Sequence, residues 1–113
     1  MVTVHVKGPD AFYPFIGYID SGADLSLVPR SFGNLLGFDL SKNLFEIRGI
    51  GPSKTRVSVQ NARMKISGKE FDYPLAVALT DRVPYVVGRR DIFKVYSITF
   101  REKLQIIRFT PEA

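Results

Sequence analysis

The chain of 113 residues contains no cysteine and a single histidine, His5. Disulfide scaffolds, thiolate zinc sites and cysteine nucleophiles are therefore excluded. A lone histidine is neither a metal set nor part of a Ser/His/Asp triad, so His5 reads as a strand surface residue. No apolar run approaches the ~20 residues of a membrane-spanning helix. The opening MVTVHVKGPD lacks the apolar stretch of a signal peptide, so a cytoplasmic protein with no membrane partner is expected. Also missing are a basic tail, an arginine-rich stretch and an aromatic nucleic-acid motif.

What is present suits one globular domain over residues 1–113. Hydrophobic residues make up 45% and charged residues 24%, which excludes a mainly disordered chain. A core at this length removes roughly two-thirds of the unfolded surface from water. The net charge is +5, with a pI near 9.7. Such a balance raises nucleic acid as a partner. The basic residues are nevertheless spread along the chain, with only a mild cluster among Arg48, Lys54, Arg56, Arg63, Lys65 and Lys69. A solvated basic face is the reading they favour over a nucleic-acid surface.

Period-two alternation dominates. Val2, Val4 and Val6 alternate with Thr3, His5 and Lys7; Gly8-Pro9-Asp10 turns the chain, and Phe15 to Ile19 returns as the second arm of a hairpin. Further strands are expected over residues 44–48, 55–59, 62–67, 71–79, 85–87, 97–100 and 104–109. Turns fall at Gly51-Pro52-Ser53, Ser67-Gly68-Lys69 and Arg101-Glu102-Lys103. Two short helices fit residues 31–36, ending at Gly37, and 90–96. Many short strands at close spacing indicate an all-β barrel or sandwich.

Three segments carry chemistry. In Phe15-Ile16-Gly17-Tyr18-Ile19-Asp20-Ser21-Gly22-Ala23-Asp24, an apolar strand runs into an acid followed by small residues. Small residues allow a sharp turn and close approach to Asp20. Taken alone, the same segment also suits a strand-ending turn in which Asp20 caps local amides. In Tyr85-Val86-Val87-Gly88-Arg89-Arg90, Gly88 would let its strand pack against the Asp20 turn, and Arg89 could pair with Asp24. If that pair is buried, its loss weakens folding or dimerisation by about 2–5 kcal/mol. The third segment, Arg48-Gly49-Ile50-Gly51-Pro52, is a hairpin tip bearing an isoleucine where water is expected, as a mobile flap over a ligand would.

In their chain order, the Asp20-Ser21-Gly22-Ala23 motif, the Gly49-Ile50-Gly51 tip and then Val86-Val87-Gly88-Arg89, the three segments resemble the retropepsin family, the single-domain aspartic proteases of retroviral type, and most closely its small cellular bacterial or archaeal members. The resemblance runs from Val2 to Phe109. It implies a single-domain acid-protease fold: a closed β-barrel with one or two short helices and a glycine-containing flap hairpin. The chain would be one half of a homodimer. Two Asp20 carboxylates, about 3 Å apart and sharing one proton, would activate water for hydrolysis of a peptide bond. Ser21 would brace the two loops, and Gly22 would offer its carbonyl to an extended peptide or protein substrate. Ala23, the flap residues Gly49, Ile50 and Gly51, and the walls Pro84 and Val86 would line the cleft. Asp24 and Arg89 would support it. No metal or cofactor is implied.

Three features depart from the retroviral pattern. Ser21 stands where threonine is usual, Pro52 removes an amide from the flap, and residues 97–109 read as a complete hairpin. Two other functions suit the same sequence. One is a proteolytically silent peptide-binding module of the same fold, against which the intact Asp20-Ser21-Gly22 triplet argues. The other is a basic nucleic-acid-binding β domain. The Met1 start and complete β layout suggest a free-standing protein.

Overall fold

A computed structural model describes residues 1–20, 22–47 and 54–91. The expected hairpin opens the chain: β1 (Val2–Lys7) and β2 (Phe12–Asp20) are antiparallel, with Val2 opposite Gly17 and Lys7 opposite Phe12. Their turn is closed by the Gly8 amide donating to the Ala11 carbonyl at 2.7 Å. After it come β3 (Leu27–Val28), α1 (Arg30–Leu35), β4 (Leu44–Ile47), β5 (Thr55–Ile66), β6 (Lys69–Ala78) and β7 (Val86–Gly88). The order across the sheet is β1-β2-β7-β3-β6-β5-β4, and β1 also pairs with β5. That last pairing, with Val4 opposite Ile66, closes six strands into a barrel and leaves β4 attached to β5.

Two expectations are corrected. Residues 55–59 and 62–67 belong to one continuous strand rather than two. The polar pair Gln60-Asn61 does not break it, because β6 pairs with it without interruption from Lys69 to Ala78. Gln60 also finds partners of its own, donating from Nε2 to the Asp39 carbonyl and the Ser58 hydroxyl. The second correction is β3, two residues long and absent from the reading of the sequence. The turn at Ser67-Gly68 is present, with φ of 52° and 78°.

The helix lies one residue earlier than expected and ends as foreseen, with Gly37 at φ +79°, a conformation that favours glycine. Pro29 at its N-cap offers no side-chain acceptor. The Asp81 carboxylate fills that role from across the fold, accepting from the Ser31 amide at 2.8 Å. Residues 89–91 are helical, and residues 92–96 of the second expected helix lie outside the described residues. Strands expected at 97–100 and 104–109 lie outside the described residues.

Two apolar clusters share the strands around β6. In the larger one, Val4, Val6 and Phe15 meet Met64, Leu75 and Val77, with Phe32 and Leu36 from α1. Phe15, Phe32 and Tyr85 pack ring against ring at centroid distances of 5.3–5.7 Å. The smaller cluster gathers Leu27, Val57, Ala76, Ala78 and Val86. Residues 75–78 are therefore buried on both faces, which explains an apolar run without alternation. Leu75 and Val77 enter one cluster, while the small Ala76 and Ala78 enter the other.

Candidate active site

β7 lies between the two strands that flank the Asp20 loop. It runs parallel to β2, with Asp20 opposite Gly88, and antiparallel to β3, with Leu27 opposite Val86. Asp20 is the last residue of β2 and is exposed. Its Oδ1 accepts the Gly22 amide at 2.9 Å, and its carbonyl accepts the Ala23 amide at 3.1 Å. This local turn is the one that the sequence segment suggests by itself. Ser21 lies outside the described residues.

The loop is also held from behind. The amides of Arg89 and Arg90 donate to the carbonyls of Ala23 and Asp24 at 2.8 and 3.2 Å. Arg89 Nη2 reaches Asp24 Oδ1 at 2.8 Å, the ion pair suggested by the sequence. Both side chains are more than half exposed, so in the single chain the pair is a surface one. Gly88 explains why β7 comes so near. A Cβ there would lie 2.6 Å from the Leu25 carbonyl oxygen and closer still to its carbonyl carbon.

Sequence reasoning missed Ser26 and Asp91. The Ser26 hydroxyl accepts the Gly88 amide at 3.0 Å and donates to Asp91 Oδ2. Both side chains are fully buried. Asp91 Oδ1 has no hydrogen-bond partner among the described residues. Burial pushes the Asp91 carboxyl up to about 6 against the smaller opposing pull of the Ser26 hydrogen bond. The only signal in the sequence is position: a serine between Leu25 and Leu27, and an acid one helical step after Arg90.

An apolar surface adjoins the loop. Ala23, Ile47, Val59 and Val83 are partly buried against the smaller cluster, whose member Val86 is only 6% exposed. Val86 is thus buried within that cluster, while Pro84 is exposed. β4 and β5 form the stem of the expected flap, with Ile47 opposite Thr55. The tip residues Gly49, Ile50 and Gly51, and Pro52 after them, lie outside the described residues.

Part of the basic cluster noted in the sequence is paired. Lys54 lies 3.6 Å from Glu46, and Arg63 lies 3.0 and 3.1 Å from Glu70 and Asp72. Among the described residues, no group of three or more His, Asp or Glu side chains is placed to hold a metal ion. Nor is any helix among them long and apolar enough to cross a membrane.

The closed barrel, with its β2-β7-β3 arrangement around an acid-bearing loop, is the retropepsin-like fold of the retroviral aspartic proteases. Among solved structures, the chain is similar to the EIAV protease complexed with the inhibitor HBY-793. The two are 23% identical, with a TM-score of 0.53 over 83% of this chain and 86% of that one. No family model and no curated protein matches the sequence.

Proposed function

We propose that the chain is one half of a homodimeric aspartic endopeptidase. The observation that carries this reading is the solvent-facing Asp20 carboxylate on a loop clamped between β2, β3 and β7 in a retropepsin-like fold. One Asp20-Ser21-Gly22 turn supplies one carboxylate, so the second comes from Asp20 of a second copy across a two-fold axis. Ile19, next to Asp20 and 55% exposed, suits coverage by that second copy.

In the dimer the two carboxylates share one proton, because like charges so close do not both ionise. The ionised one takes a proton from water as its oxygen attacks the peptide carbonyl. The protonated one gives its proton to the developing oxyanion. Ser21 braces the paired loops, and the Gly22 carbonyl receives an amide of an extended substrate. Ala23, Pro84 and the apolar surface around Val86 contact its side chains, and Gly49, Ile50 and Gly51 close over it. Asp24 and Arg89 hold the loop.

The test incubates purified protein with a complex peptide library across pH and identifies new termini by mass spectrometry. Cleavage is expected to peak at around pH 4–6 and to vanish in Asp20→Asn. A folded dimer that cleaves nothing would instead favour a peptide-binding module of the same fold.

A further inference from the structure

Asp91 is the one fully buried carboxylate among the described residues, and the hydrolytic mechanism does not use it. It sits at the end of a chain of donors. The Gly88 amide donates to Ser26 Oγ, and Ser26 Oγ donates to Asp91 Oδ2. Gly88 is the residue whose contact with Leu25 sets how near β7 comes to the Asp20 loop. The next two amides, of Arg89 and Arg90, hold that loop directly. The Asp91–Ser26 peg therefore anchors the same three residues that clamp the loop.

We propose that Asp91 is a positioning residue for the Asp20 loop, which it holds tightly through Ser26 as the neutral acid and loosens when it ionises. The geometry supplies the reason. A charged carboxylate that is fully buried, with one oxygen unpartnered among the described residues, favours openings of this junction that admit water. The neutral acid has no such preference. The carboxyl is accordingly poised near 6, between the acid range of the proposed chemistry and neutral pH.

Among the described residues, the titratable groups at this end of the barrel include Asp20 and Asp24 on the loop, Arg89 and Arg90 beside Asp91, and the Tyr73 phenol on β6. Arg89 is engaged by Asp24 and Arg90 by Tyr73. Burial and the Ser26 hydroxyl are what shift Asp91. The consequence for catalysis rests on the protease reading, whereas the loop effect does not.

The test is amide hydrogen exchange at Ala23, Gly88, Arg89 and Arg90, corrected for intrinsic rates, at pH 5 and pH 7.5. Performing it in the Asp20→Asn background removes titration of Asp20 itself. Protection is expected to fall, by up to about a hundredfold, as pH rises through the Asp91 midpoint. Asp91→Asn, which imitates the neutral acid, should stay protected at both pH values. Ser26→Ala should be unprotected at both.

Equal protection of the parent protein at the two pH values would overturn the proposal, as would an Asp91→Asn variant that keeps the parent's pH profile. Should the asparagine variant not fold, carbon NMR of the Asp91 carboxyl decides; titration at the ordinary value of 3.8 would refute the switch. The exchange readout needs no proteolysis. The expected exchange profile, together with a folded wild-type dimer that cleaves no peptide, would leave the Asp91 device standing and sink the protease reading.

Discussion

Gly88 and Leu25 meet backbone to backbone, so closely that a Cβ on Gly88 would fall inside the Leu25 peptide. Side chains yield by changing rotamer; a peptide group held by flanking strands does not. Gly88→Ala should therefore push β7 away from the Asp20 loop and destabilise the chain by about 2–3 kcal/mol or more. Urea unfolding measures it, and a loss below about 0.5 kcal/mol would mean that the two segments separate without strain.

Arg89→Ala should behave more mildly. Sequence alone allows a buried pair with Asp24, but in the single chain the two side chains are 62% and 58% exposed. The expected loss is within about 1 kcal/mol. Unfolding of the variant at several protein concentrations checks this. A loss above about 2 kcal/mol that grows on dilution would show that assembly covers the pair.

Asp91 gives stability a pH slope of known sign. Its folded value, about 6, lies above the ordinary 3.8, so the folded chain holds this proton more firmly than the unfolded one. The stabilisation is complete below about pH 4, declines as pH rises to about 6 and is then flat, a total of at most about 3 kcal/mol. Asp91→Asn removes the slope. Denaturant unfolding of both proteins from pH 4.5 to 7.5 gives the difference, and parallel curves would contradict the assignment.

Asp81→Ala tests the cap supplied across the fold. Loss of its acceptor for the Ser31 amide should cost about 1 kcal/mol. Asp81→Asn keeps an acceptor oxygen and should recover most of it. Thermal unfolding of the pair separates the cap from a general effect of charge.

Much of the barrel was legible because its strands alternate. Val2, Val4 and Val6, and the two glycine-containing turns that close hairpins, identify their strands without help. β3 escaped because two residues before Pro29 carry no period. Gln60-Asn61 looked like a break because the sequence does not reveal that β6 runs alongside. In the loop, Asp20 and the Asp24–Arg89 pair could be named because their motifs are contiguous. Ser26 and Asp91 could not. They are 65 positions apart, and polar residues of their kind usually face water.

The place of β7 between β2 and β3 bears on the order in which the protein assembles. The loop from Asp20 to Leu27 spans two strand spacings, about 10 Å, over a strand that the ribosome makes some sixty residues later. Until β7 arrives, β2 and β3 have no common neighbour, and none of the amides of residues 88–90 is there to hold the turn. A nascent or truncated chain ending before Val86 thus carries Asp20 but not the scaffold that aims it. Any chemistry of this acid must wait until nearly the whole barrel has been threaded together.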